Sequence, residues 1–439
     1  MRRNADLDTA LAEAHAAYTA AHPESLARHR AAAGALPGGN TRSVLFYAPF
    51  PLTMLSGAGC HLRDADGVLY VDLLGDYTAG LYGHSEPRIA AAIRAALENG
   101  LSLGAHNEIE ARYAAAVQAR FPVLERLRFA NSGTEANLLA LATACAVTGR
   151  KGVLAFTGGY HGSVFTFAPG RSGKLNAPYD FVTTPYNDAA TAVAAIAGMG
   201  ERLAAVILEP MQGSGGCIPA EPGFVQAVAE AARAAGALLI VDEVMTSRLV
   251  PGGLHTMLGV RPDLVTLGKY LGGGLSFGAF GGRAEIMDRF DPHRPDALSH
   301  AGTFNNNTLS MTAGHAGLTE VFTPAAQAAL NARGDALRAR LNALCAEAKV
   351  AMRFSGIGSM MAVHFTARAV RNGEALADTD PRLLELFFFD MLAARIWLAR
   401  RGMIALSLPV GEAECAQLAD ALGGFLERRA PLLGRADAE

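Results

Sequence analysis

Lysine is scarce in this sequence. Among 38 basic residues only four are lysines: Lys151, Lys174, Lys269 and Lys349. Five cysteines, Cys60, Cys145, Cys217, Cys345 and Cys415, stand far apart with no CxxC pair. Such an odd, scattered set argues for reduced thiols and against a disulfide frame or a zinc site. No apolar run approaches the roughly 18–20 residues of a membrane span. The opening MRRN continues into acids and alanines, which is not the pattern of a signal peptide. The net charge is −3 and no dense basic cluster is present, so nucleic acid finds no electrostatic footprint. There is no GxxxxGK[ST], no GxGxxG following a strand and no GxSxG elbow, which excludes the usual nucleotide loops and hydrolase nucleophiles. The expected compartment is the cytoplasm, with neither a membrane nor a nucleic acid as partner.

The 439 residues leave room for a large core and two or three domains. Residues 5–35 are Ala-rich with Leu and Tyr at helical intervals, and LPGGNTRS (36–43) breaks that pattern. In GCHLRDADGVLYVDLL, the AspGly pair at 66–67 predicts a hairpin turn. From about residue 75, helical patterns alternate with short apolar runs: VLAF (153–156), AAVILEP (204–210), ALLIVDE (237–243) and LVTLG (264–268). They read as buried strands of a mostly parallel sheet, with FVQAVAEAARAAG (224–236) as a crossover helix closed by Gly236. After about 325 come a helix, a strand-like FSGIGSMMAVHF, a long apolar helix around LLELFFFDMLAARIW, a strand MIALSLP and a last helix. The expectation is an α/β protein with a large domain at 75–325. A small α+β domain would be built from 326–439 and the N-terminal segment 1–74.

Chemistry concentrates between residues 237 and 282. Asp242 ends one apolar run, and Lys269 ends the next, ahead of Gly272, Gly273 and Gly274. The other three lysines lie in polar or turn-like surroundings. A carboxylate and a lysine one strand–helix–strand unit apart suit pyridoxal phosphate, whose aldehyde is held by lysine and whose ring nitrogen is kept protonated by an acid. Four further stretches bear on the site, each with a plainer alternative. Ser132, Gly133 and Thr134 in FANSGTEAN open a helical pattern and offer N–H groups to a phosphate, or simply an N-cap. Tyr160 in GGYHG presents a face that stacks on a ring or packs in a turn. His161 has no companions at ligand spacing, so no metal is expected. Glu209 in LEPMQG stands at a strand's carboxyl end, on the substrate side of a crevice or as a structural acid. Thr303 in HAGTFNNNTLSMTAG adds a hydroxyl to a phosphate site or caps a loop.

Taken in order, NSGTEAN, GGYHG, LEPMQG, VDEVMTSR, TLGKYLGGG and GTFNNN resemble the class III aminotransferases of the fold-type I pyridoxal phosphate superfamily. LPGGNTRSVLFYAPFPLT, DYTAGLYGHS and RRGMIALSLP narrow the resemblance to the bacterial β-phenylalanine aminotransferases. The resemblance implies a large domain with a seven-stranded, mostly parallel sheet and a small domain from both termini. It implies that Lys269 is the Schiff-base lysine and proton carrier, and that Asp242 pairs with the ring nitrogen. Tyr160 and Val244 would cover the two ring faces. Ser132, Gly133 and Thr134 would hold the phosphate, with Thr303 coming from the second subunit of a homodimer. Arg42 would bind the carboxylate of a β-amino acid donor, and Arg401 a carboxylate of the α-keto acid acceptor, 2-oxoglutarate or pyruvate. Tyr77, Val44 and Met245 would form pocket walls. Which of Arg400 and Arg401 turns inward is open at this point.

Two rivals deserve a hearing. Glutamate-1-semialdehyde aminomutase belongs to the same branch, but its loop after PGG and its stretch at GDYTAG differ from this chain. A cofactor-binding regulator without catalysis wants a basic stripe or a second module, and none is visible. With a single lysine placed for the chemistry, Lys269→Ala is expected to abolish transamination while some cofactor binding persists. Substantial turnover by that variant in a coupled transaminase assay would contradict the assignment.

Overall fold

The computed structural model describes residues 2–168 and 173–435, so Arg171 and Ser172 of the RSGK stretch lie outside the described residues. Helices α1 (Arg2–Ala21) and α2 (Pro23–Ala32) lead to an antiparallel meander of β1 (Met54–Ala58), β2 (His61–Asp64) and β3 (Leu69–Asp72). The expected AspGly turn joins β2 to β3, with Gly67 at φ +85°. Helices α3 (Pro87–Leu97) and α4 (Glu108–Arg120) precede the main sheet.

That sheet has the order β4-β12-β11-β10-β7-β5-β6. Its members are β4 (Arg126–Ala130), β5 (Gly152–Phe156), β6 (Asp180–Thr184), β7 (Leu203–Leu208), β10 (Leu238–Asp242), β11 (Leu264–Gly268) and β12 (Gly278–Gly282). A two-stranded ribbon, β8 (Met211–Gln212) with β9 (Ile218–Pro219), stands beyond β7. Helices α5 (Gly133–Thr148), α6 (Ala189–Met199) and α7 (Pro222–Ala234) make the crossovers.

The strand period of two sorts the apolar residues onto opposite faces. Leu154, Phe156, Val206, Leu208, Leu239 and Val241 pack with Ile196 of α6 and Phe224, Val225 and Val228 of α7. Their neighbours Val153, Ala155, Ala205, Ile207 and Ile240 pack on the other side with Ala136, Ala140 and Ala144 of α5. Both faces are therefore covered, which is why these strands read as unbroken apolar runs. The small residues of α5 let that helix lie close to the sheet.

The expected mostly parallel sheet is present, with one exception. Strand β12 runs antiparallel to both β11 and β4. Its sequence, GAFGG, carries no strand signal, yet glycine is what the packing demands. A Cβ on Gly278 would run into the backbone carbonyl of Ser132, and one on Gly281 into that of Arg126. Strand β6, DFVTT, likewise falls outside the expected runs.

Helices α8 (Ala284–Met287), α9 (Thr308–Ala316) and α10 (Pro324–Glu347) follow. The tail departs from its sequence reading in two places. FSGIGSMMAVHF is an antiparallel hairpin of β13 (Arg353–Ile357) and β14 (Met360–His364), turned at Gly358 with φ +54°. The long apolar helix stops early: α11 (Pro381–Ala393) ends before Arg395, at φ +62°, and Ile396–Trp397 form strand β15. Strand β15 pairs in parallel with β3, so C-terminal residues complete the N-terminal meander. Strand β16 (Met403–Ala405) joins β14, and α12 (Glu412–Arg429) packs on α10. Among the described residues no helix is long and apolar enough to cross a membrane.

Because the β12 backbone touches the Ser132 carbonyl, Gly278→Ala is expected to cost about 1–3 kcal/mol through overpacking. Urea denaturation followed by circular dichroism measures it, and an unchanged midpoint would contradict the close approach.

Candidate active site

Five loops carrying chemistry leave the carboxyl ends of parallel strands, the edge at which open α/β sheets bind ligands. Ser132 follows β4, Tyr160 follows β5, Glu209 follows β7, Asp242 closes β10 and Lys269 follows β11. Residues separated by up to 137 positions in the chain thus meet along one crevice.

Asp242 lies at its floor, buried, with three hydrogen bonds. Its Oδ1 accepts the Val244 N–H at 3.0 Å, and its Oδ2 accepts Asn137 Nδ2 and His161 Nδ1, each at 2.8 Å. Asn137 is aimed by its neighbours: its Oδ1 accepts the Thr266 hydroxyl at 2.7 Å, and its Nδ2 also donates to the His161 carbonyl. Burial opposes a charge on His161, but the hydrogen bond and charge of Asp242 outweigh it and raise the imidazole above its ordinary value. His161 Nε2 is buried and has no hydrogen-bond partner among the described residues. Burial lowers the Lys269 ammonium, while the charges of Asp242 and Glu209 act in the other direction. Lys269 itself is partly buried and left-handed, φ +55°, whereas Lys151, Lys174 and Lys349 are exposed.

At the N-terminus of α5, Ser132 caps the helix by accepting the Glu135 N–H at 3.1 Å. The plain N-cap is thus present, and it does not preclude an anion seat, since the cap uses the hydroxyl and a helix's first turn leaves further N–H groups without intrahelical partners. Gly133 is required there: a Cβ would stand 2.9 Å from Val244 Cγ1. A Cβ on Gly162 would collide with Thr134 Oγ1. Val244 is buried against Gly133 and Gly268, while Tyr160 is partly open at 42% exposure. Thr303 is exposed, and among the described residues it bonds to none of the 132–134 groups.

Of the two readings open for Glu209, its surroundings favour the structural acid. It is buried, and its carboxylate accepts the Tyr160 N–H and the Gly213 N–H, each at 3.0 Å, so it clips two crevice loops together instead of lying open to a substrate. Met245 presses its sulfur on Gly213. Val44 is exposed, and its carbonyl accepts the Tyr77 hydroxyl at 3.2 Å.

The neighbouring arginines part company. Arg400 pairs outward with Glu385 at 3.2 Å, whereas the Arg401 guanidinium lies 4.6 Å from the centre of the Tyr77 ring. Burial raises the Tyr160 phenol, and the charges of Arg401 and Arg42 act against that. Arg42 forms a 2.9 Å ion pair with Asp76.

The family profile described as aminotransferase class-III matches residues 46–394. The β-phenylalanine transaminase of Variovorax paradoxus is 53% identical over 434 residues, 99% of this chain and 100% of that one. This chain belongs to the class III aminotransferases. The crystal structure of a β-phenylalanine aminotransferase from Variovorax paradoxus superposes with a TM-score of 0.96, covering 98% of this chain and 100% of that one. A glutamate-1-semialdehyde 2,1-aminomutase of Sorangium cellulosum is 39% identical over 394 residues, 85% of this chain and 89% of that one. As a class III member the protein is a pyridoxal-phosphate-dependent aminotransferase of fold type I. Its residues fit the cofactor: a buried, triply bonded carboxylate, a lysine in the same crevice, and a helix N-terminus kept open by Gly133 and Gly162.

Sequence reasoning passed over Asn137 and set His161 aside once no metal partner was found. The signal for Asn137 is an amide side chain set among the alanines and leucine of the inner face of α5. Nothing in the sequence ties Asp76 to Arg42.

Burial pushes the Glu209 carboxyl up to about 7; the His161 charge and the two amides pull it down, and Asp242 pushes it higher. The folded protein thus holds a proton that the unfolded chain has released, so this contribution to stability is present at low pH and lost as pH climbs from the ordinary 4.5 to about 7. Stability relative to Glu209→Gln is expected to fall by on the order of 3 kcal/mol across that window. Denaturation of both proteins at stepped pH checks it, and parallel profiles would contradict it.

Proposed function

We propose that this enzyme moves the amino group of an aromatic β-amino acid, of the β-phenylalanine type, to an α-keto acid such as 2-oxoglutarate or pyruvate. What carries the reading is the pair of guanidiniums brought together at Tyr77: Arg401 lies 4.6 Å from the centre of its ring, and Arg42 pairs with its neighbour Asp76 at 2.9 Å. Two fixed cations suit a donor with one carboxylate and an acceptor with one or two. The 53% identity to a β-phenylalanine transaminase supports the same donor.

Pyridoxal phosphate, when bound, supplies an electron sink for the charge left when an amine-bearing carbon loses its proton. Ser132, Gly133 and Thr134 would hold its phosphate on the positive end of α5. Tyr160 and Val244 would confine the ring between them, and Asp242 would hold its nitrogen protonated. Asn137, His161 and the Val244 amide keep Asp242 in place for that task. Lys269 would take the proton from the donor's amine-bearing carbon and hand it to the cofactor, and in the second half-reaction carry a proton the other way, to the acceptor's carbonyl-derived carbon; the lowering of its ammonium by burial favours the neutral base. Arg42 would take the donor carboxylate and Arg401 that of the acceptor. Tyr77, Val44 and Met245 would wall the side-chain pocket, and Glu209 would hold the Tyr160 and Gly213 loops in register.

We further read the enzyme as a cytoplasmic homodimer with shared sites. The support is Thr303, exposed on its loop and unbonded to the phosphate turn of its own chain among the described residues, as a group lent to a neighbour would be. The β3–β15 pairing supports a small domain from residues 1–74 and 326–439, set on a large domain at 75–325.

Holoenzyme mixed with 3-amino-3-phenylpropanoate and no acceptor is expected to lose the absorbance band of its lysine-bound cofactor and gain that of the aminated form. A response to a γ- or ω-amine or to the semialdehyde, but none to this donor, would remove the donor assignment and leave the family standing.

A further inference from the structure

The turn at residues 75–78 is unusual. Gly75, Asp76, Tyr77 and Thr78 have φ of +51°, +43°, +54° and +79°, so three consecutive side-chain-bearing residues sit in the left-handed region. Such strain persists only where the surroundings impose it. Here the buried Asp72 does so: its Oδ1 accepts the Leu74 and Gly75 N–H groups at 2.9 Å each, and its Oδ2 meets His84 Nε2 at 2.9 Å. Thr78, fully buried, pins the far side. The Asp76 carbonyl accepts the Ala79 N–H at 3.3 Å, but its side chain takes no part in that anchoring. Its side chain turns outward to Arg42, 2.9 Å away, while the next residue, Tyr77, lies under Arg401.

We propose that Asp76 tunes the affinity of the carboxylate site, as an internal carboxylate that occupies Arg42 in the free enzyme and has to be displaced by a substrate carboxylate. The inference rests on the reading of Arg42 as the donor's carboxylate site. The pair is 49% and 52% exposed. Exposed ion pairs are weak, worth roughly a factor of five or less in an equilibrium constant, so an incoming carboxylate can replace Asp76 without a large penalty. A donor lacking a carboxylate has nothing to offer Arg42, and the internal pair stays closed beside Tyr77. The strained turn matters because it fixes where the displaced carboxylate stands: its backbone is held by Asp72 and Thr78, so Asp76 stays close enough to compete for Arg42.

The test is a double-mutant cycle on holoenzyme, titrated calorimetrically with 3-phenylpropanoate, the donor skeleton without its amine. Asp76→Asn removes the charge and keeps a residue that tolerates left-handed backbone. Its dissociation constant is expected to fall roughly two- to fivefold, and the same substitution is expected to have no effect in an Arg42→Ala background. Unchanged or weaker binding by Asp76→Asn would overturn the proposal, as would an equal gain with and without Arg42. The half-reaction with the amino donor tests the substrate and this cycle tests the ion pair. A wild-type enzyme inert toward that donor but showing this cycle loses the donor assignment and keeps the role of Asp76.

Discussion

A single buried carboxylate organises this enzyme. Desolvating an ionised acid costs several kcal/mol unless donors surround it. Asp242 has three, and they come from different places: the N-terminal half of α5, the loop after β5, and the peptide just beyond β10 itself. A fourth element, β11, reaches it at second hand through Thr266 and Asn137. Satisfying one charge therefore fixes the relative positions of four segments, and those segments carry the turn at residues 132–134, Tyr160, Val244 and Lys269.

The sheet makes that convergence possible. Its strands alternate their apolar side chains between two helical layers, which leaves the carboxyl edge free of packing duties. Loops leaving that edge can hold polar residues without disturbing the core. Strand β12 solves a local problem of its own, since it must thread between β4 and β11 where the Ser132 carbonyl leaves no space for a side chain. The turn at residues 132–134 is thus supported from behind by bare backbone.

Much of this was legible in the sequence because its physical causes are local. Unbroken apolar runs marked β5, β7, β10 and β11, and an AspGly pair marked the β2–β3 turn. Gly133 and Lys269 stood out by their neighbours. What escaped notice depends on contacts distant in the chain. Strand β12 is made of glycines because of what lies against it, a reason that its own sequence does not contain. The end of α11 at Ala393 is set by the demand of β3 for a partner, not by a helix-breaking residue. Glu209 sits at a strand's carboxyl end as expected, but two amides from separate loops claim its oxygens. Arg400 and Arg401 are adjacent in sequence, and only Glu385 and Tyr77 distinguish them.

The scarcity of lysine gives the molecule a chemical simplicity of another kind. Three of its four ε-amino groups, on Lys151, Lys174 and Lys349, are exposed, and the fourth is half-hidden in the crevice. Lys151 directly precedes β5, at the opposite edge of the sheet from the active loops. An acylating or imidate reagent therefore meets few side-chain targets, and only one of them lies among the reacting groups. Covalent attachment to a solid support is thereby directed to the three exposed amines on Lys151, Lys174 and Lys349.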